Sequence, residues 1–149
     1  MADDIKLIHG NYESWQIEGL IRKINVKTRT WKGKEIIQGI QVFLENGKTQ
    51  AFGMKLNDNY LVQTLEVPSN QHIKFFHIRS GSYIDAIGFE TNKGLKFGPI
   101  GGPSGAIKPV PTSIRIQPYV DGIRGITVRT QGAPCICKIQ FKYVIPREY

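Results

Sequence analysis

Cysteine is nearly absent from this chain of 149 residues, which holds two, Cys135 and Cys137. That count excludes a disulfide framework, since small domains stapled by disulfides need several bridges. The two stand at i and i+2 of an apparent strand, so their side chains project from one face, and a bridge between such neighbours is strained. They read as buried thiols. A redox pair or half of a metal site would need further partners, but there is no second cysteine pair, and His9, His72 and His77 show no metal spacing. No cofactor is expected.

Long apolar runs are missing too, so no segment reaches membrane-spanning length. The start, Met1-Ala-Asp-Asp-Ile, lacks the basic and apolar regions of a secretory signal. A soluble protein is expected, cytoplasmic or secreted without a visible signal peptide. Acidic residues are in deficit, with twelve Asp+Glu against twenty Lys+Arg and a net charge of +8. Acidic polysaccharides or anionic headgroups are therefore electrostatically suitable partners. The basic residues are dispersed, however, and the densest stretch, Arg22 to Lys34, interleaves them with apolar or β-branched residues as a solvated strand face does. Aromatic and basic residues form no stacking strip, so a specific nucleic-acid partner is not expected. Catalytic constellations are also missing. There is no Ser/His/Asp or Cys/His set and no nucleotide fingerprint, and the scattered acids single out no glycosidase pair. The chain does not read as an enzyme.

What the sequence does have is sixteen glycines, eight prolines, many aromatics and apolar residues at a period of two. Ile24, Val26 and Thr28 alternate with polar residues, as do Ile40 and Val42, Ile73 and Phe75, Ile114 and Ile116, and the run Cys135, Cys137, Ile139, Phe141. That pattern predicts half-buried strands in one all-β domain spanning residues 1–149. The stretch from Gly98 to Thr112 reads as a loop.

An internal repeat organises these strands. Ile37-Gln-Gly-Ile-Gln-Val42, Ile84-Asp-Ala-Ile-Gly-Phe89 and Ile123-Arg-Gly-Ile-Thr-Val128 share one order: Ile, polar, small, Ile, variable, apolar. Each copy is preceded by a strand, at Ile21 to Thr28, His72 to Ile78 and Ser113 to Pro118. Two copies are followed by Asn-Gly or Lys-Gly turns and further strands at Ala51-Phe-Gly53 and Lys96-Phe-Gly98, while the third turns at Gln131-Gly132. A sheet of about four strands is marginal alone, so three of them must bury their apolar faces around a common axis. The expected architecture is a three-sided prism.

The stretch Ser80-Gly-Ser-Tyr-Ile-Asp-Ala-Ile-Gly-Phe-Glu-Thr-Asn-Lys-Gly-Leu-Lys-Phe-Gly-Pro99 resembles the jacalin-related lectins, as do Ile5-Lys-Leu-Ile and the region from Trp15 to Val26. The resemblance implies a β-prism of three antiparallel Greek-key sheets with pseudo-threefold symmetry, and a sugar-binding lectin for mannose- or glucose-type glycans. In that family a Gly-x-x-x-Asp loop faces a Gly-Gly loop. Here Gly81-Ser82-Tyr83-Ile84-Asp85 matches the first and Gly101-Gly102-Pro103-Ser104-Gly105 the second. The resemblance makes Asp85 the acceptor of sugar hydroxyls, Ser82 and Tyr83 donors through their N–H groups, and Gly101 or Gly102 the opposite wall. Charge-assisted hydrogen bonds, about twice as strong as neutral ones, give the carboxylate its use.

The other reading of Asp85 is a turn-capping aspartate bound to its own loop, and that of the glycines a plain flexible loop. Departures from the family pattern are clear: His9-Gly-Asn-Tyr-Glu13 stands where a Gly-Gly loop is usual, and Gln38 and Arg124 stand where the second repeat has Asp85. Trp15 and Trp31 read as scaffold. A basic interaction module, or a prism with a structural or partner-binding role, remains an alternative, and pairing into homo-oligomers is compatible with such prisms.

Overall fold

A computed structural model describes residues 12–54, 62–110, 118–130 and 133–145. His9, the Ile5 to Ile8 stretch, nearly all of the strand expected at Ser113 to Pro118, and the Gln131-Gly132 turn lie outside the described residues. The described residues form eleven strands: β1 (Tyr12–Glu18), β2 (Ile21–Trp31), β3 (Lys34–Leu44), β4 (Thr49–Gly53), β5 (Gln63–Glu66), β6 (Ile73–Ser80), β7 (Ile84–Thr91), β8 (Lys96–Gly101), β9 (Ala106–Ile107), β10 (Tyr119–Thr130) and β11 (Ala133–Val144). Among the described residues no helix is long and apolar enough to cross a membrane.

The strands form three antiparallel sheets. The first runs β5-β2-β3-β4 and the second β9-β6-β7-β8, each with three hairpin-linked strands and a fourth returning beside the first, which is the Greek-key order. The third sheet, β1-β10-β11, brings the beginning and end of the chain together. The segment expected to be a loop from Gly98 to Thr112 is partly strand, because Pro99 to Gly101 continue β8 and Ala106–Ile107 pair with Arg79 and Ser80 of β6.

Period-two patterning explains which way the strands face. In β2 the buried Ile24 and Val26 alternate with the half-buried Lys23, Asn25 and Lys27, whereas Arg22 donates to the carbonyls of Val67, Pro68 and Gln71 and Arg29 reaches the buried Cys135 Sγ, so only part of the basic stretch is a solvated strand face. The inward residues of all three sheets meet in one core that includes Ile24, Ile40, Phe76, Ile87, Phe89 and Ile136. Two ring stacks join the sheets: Trp15 on Phe52, with centroids 3.9 Å apart, and Phe76 on Phe141 at 4.1 Å. Trp15 is thus scaffold, seated over Gly125, where a Cβ would collide with its ring.

The register carries a threefold feature of its own. A bulge interrupts the central hairpin of each sheet near one end. It leaves Gln38 unpaired between Ile37↔Thr28 and Gly39↔Lys27, Asp85 between Ile84↔Ser80 and Ala86↔Arg79, and Cys137 between Ile136↔Thr127 and Lys138↔Ile126. The third copy of the repeat is therefore Ile136-Cys-Lys-Ile-Gln-Phe141 on β11. The Ile123 to Val128 stretch belongs to β10, which is the counterpart of β2 and β6. This corrects the sequence alignment: the third equivalent of Asp85 is Cys137, while Arg124 pairs across the sheet and donates from Nε to Gln140 Oε1 at 2.9 Å.

Candidate functional site

The β6–β7 connection is short. The Gly81 N–H donates to the Tyr83 carbonyl at 3.0 Å, closing a tight turn, and the bulge then turns Asp85 out of the regular alternation. Ser82 is exposed, Tyr83 half-buried, and Ile84 is part of the core, so Ile84 offers a site only its backbone.

The Gly101–Gly105 loop packs directly on this turn. Gly101 pairs with Ala86 in the sheet and has φ +122°, and a Cβ there would strike the Asp85 carbonyl. Only glycine combines that dihedral with that approach. The Gly102 N–H donates to the Asp85 carbonyl at 2.8 Å, and its Cα lies against the backbone of Glu35 at the start of β3. Gly102 is buried, so its N–H is spent inside the protein; the open part of this loop is Pro103 to Gly105. The chain then returns through β9 to β6, which brings Gly105 back against the Asp85 side chain and the Ser80 backbone.

Two residues that the sequence did not single out hold this arrangement. Arg79 Nη1 donates to the carbonyls of Pro103 and Gly105, at 3.3 and 3.2 Å, clamping the second loop from the outer face of the sheet. Gly105, at φ +84°, leaves room for the carboxylate. The adjacency of Ala106–Ile107 to Arg79 is a matter of tertiary pairing, and no local pattern announces it.

Asp85 itself is 4% exposed. Among the described residues no side-chain or backbone group donates a hydrogen bond to its carboxylate, so the turn-capping role considered above is not what these residues display. The carboxylate stands between two loops with its acceptor capacity unspent. The two equivalent positions are neutral. Gln38 is 9% exposed, and the Cys137 thiol donates to the Ile126 carbonyl at 3.4 Å, with burial pushing its pKa up. Neither cysteine is in a disulfide; Cys135 is buried and Cys137 half-buried. Trp31 lies at the tip of the β2–β3 hairpin, with Arg29 and Lys32 over its ring at 4.9 and 5.6 Å. Among the described residues no three His, Cys, Asp or Glu side chains group as metal ligands would.

No protein-family model matches this sequence, and no curated protein matches it either. Solved structures do match its fold. A prostate-specific WGA16 glycoprotein lectin superposes with a TM-score of 0.71 at 18% identity, covering 95% of this chain and 96% of the other. The mannose-binding lectin from Champedak gives 0.63 at 20%, covering 93% and 92%. The Calsepa lectin, solved in complex with a biantennary N-glycan, gives 0.62 at 14%, covering 95% and 93%. The chain has the β-prism fold of these jacalin-type lectins over nearly its whole described length.

Proposed function

We propose that this prism is a carbohydrate-binding module rather than an enzyme, and that it reads sugar hydroxyls through Asp85. One observation carries the reading: a buried carboxylate held between two loops of a lectin-type fold, with no donor among the described residues directed at it. Vicinal hydroxyls of a hexose supply the donors that such a group lacks, at charge-assisted strength. The N–H groups of Ser82 and Tyr83 and the edge of the Tyr83 ring offer further contacts to the same sugar. Gly101 and Gly102 act in this reading by bringing the second loop close, and Ser104 and Gly105 form the wall the sugar meets. Mannose- and glucose-type glycans are the proposed ligands, in line with the mannose-binding and N-glycan-bound lectins that share the fold.

A glycan array followed by calorimetric titration with methyl α-mannoside tests this, with Asp85→Ala as control. Binding by the parent that Asp85→Ala abolishes, and that changes little with salt, is the expected result. Binding that survives Asp85→Ala and falls steeply with salt would identify a charge-driven module for sulfated glycans or anionic headgroups instead. If no sugar binds the parent at all, the lectin reading fails and a structural or partner-binding role replaces it.

A further inference from the structure

The outer face of the second sheet carries a groove of about 220 Å³ that is separate from the space between the Asp85 loops. Its floor has almost no side chains, because His77 faces Gly88 and Arg79 faces Ala86 across the β6–β7 pair. Gly88 in turn presses on the backbone of Phe97 to Pro99. Pro99 on β8 forms one wall and Ile107 on β9 the other; Phe97 also lines the trough, but its ring packs against Phe89 of the core. Ile107 is 65% exposed, a large apolar side chain standing in water beside a trough it does not fill.

The rim of this trough is basic. Arg79, Lys96 and His77 all line it. Among the described residues neither Arg79 nor Lys96 has a carboxylate within ion-pair distance, and Arg79 spends only Nη1 on the Pro103 and Gly105 carbonyls. Glu90 shares this face but is paired with Lys74 at 3.1 Å. His77 Nε2 is buried with no hydrogen-bond partner among the described residues, and Glu90 Oε1 lies 4.0 Å from it. Burial holds the His77 pKa below its usual value, Glu90 opposing and Lys96 adding to the effect, which favours the neutral imidazole. The net charge around the groove then comes from Arg79 and Lys96.

We propose that this groove binds small organic anions with an apolar body, aromatic carboxylates being the representative class. The ring displaces water from Pro99 and Ile107, while the carboxylate meets Lys96 and the guanidinium nitrogens of Arg79 not used on the Pro103 and Gly105 carbonyls. Concave apolar walls with a few convergent polar groups are the usual form of a small-molecule site. The volume suits a single ring. The proposal does not depend on sugar binding at Asp85.

Titration of the isotope-labelled protein with sodium benzoate, monitored through backbone amide resonances, tests it, with benzamide as the neutral analogue of the same shape. Benzoate is expected to saturate with a dissociation constant on the order of 1 mM, as befits so few atoms, moving the amides of Gly88, Gly98 and Ile107. Benzamide should bind about tenfold more weakly, the worth of one charge-assisted contact. Lys96→Gln should remove most of that difference, and Ile107→Asn should weaken both ligands. Equal binding of benzoate and benzamide by the parent, shifts confined to other faces, or no saturation would each overturn the proposal, and none of these outcomes depends on a variant folding.

Discussion

A Cβ placed on Gly105 would lie 2.5 Å from Oδ1 of Asp85 and 2.9 Å from the Ser80 carbonyl carbon, so the absence of a side chain at 105 shapes the space around the carboxylate at 85. Gly105→Ala is expected to push the carboxylate or the loop aside and raise the dissociation constant for methyl α-mannoside at least tenfold. The left-handed backbone there adds a strain of roughly 1 to 2 kcal/mol, so the melting temperature should fall by several degrees as well. Gly81→Ala is the matched control: a Cβ at Gly81 meets nothing within 4 Å, and both affinity and melting temperature should hold. Equal losses from the two variants would remove Gly105 from the site.

Asp85→Asn separates a binding carboxylate from a structural one. Because no described residue donates a hydrogen bond to the carboxylate, replacing it with a neutral amide removes no bond from the fold, and thermal stability should be unchanged or slightly higher. Affinity should drop by roughly tenfold or more, the difference between a charged and a neutral acceptor. A fall in melting temperature with affinity intact would show the reverse assignment, a carboxylate kept for folding.

Arg79 acts on the site through the main chain, since its guanidinium holds the carbonyls of Pro103 and Gly105. Arg79→Ala should weaken sugar binding about fivefold, equivalent to about 1 kcal/mol. Arg79→Lys should recover part of this, because an ammonium reaches one carbonyl but lacks the planar fork. Unchanged affinity in Arg79→Ala would mean that the loop keeps its place without the clamp.

Much of this fold was legible because period-two alternation and the Ile-polar-small-Ile pattern are direct consequences of half-buried strands converging on a shared core. The third copy was misplaced for a physical reason. Gly125 supplies the small residue of the pattern because Trp15 packs on it, whereas the structurally equivalent position on β11 is Lys138, which points to solvent and needs no small side chain. The bulge that makes Cys137 the partner of Asp85 and Gln38 is a matter of cross-strand register, and a single strand does not reveal it. Gly81, Asp85, Gly101 and Gly102 were singled out by the resemblance to the jacalin-related lectins. The clamp of Arg79 and the fit of Gly105 were not, because both arise where β9 returns to β6, a pairing only two residues long.

Among the described residues, four groups have pKa values that move on folding and give stability a pH dependence. Burial lowers those of His72, with Arg22 adding to the effect, and of His77. The unfolded chain therefore binds protons more readily in the range just below the ordinary histidine value near 6.5. Stability from these residues is present above that value and is lost as the pH falls through the lowered folded values. Both residues are only half-buried, so the effect is modest. At the other end, burial raises the pKa of Cys137 and of Tyr143, whose hydroxyl accepts from the Phe76 N–H at 3.2 Å. Folding then favours the protonated thiol and phenol, and their contribution is full below the ordinary thiol value and declines as the pH rises past it. Urea midpoints should thus be highest between about pH 7 and 8 and fall on either side. His77→Gln should flatten the acid limb, and Cys137→Ser should flatten the lower part of the alkaline limb. The same raised pKa keeps Cys137 slow toward a disulfide reagent in the folded protein at pH 8, with labelling accelerating on addition of denaturant. Rapid labelling of both thiols in the native protein would contradict the burial that this explanation rests on.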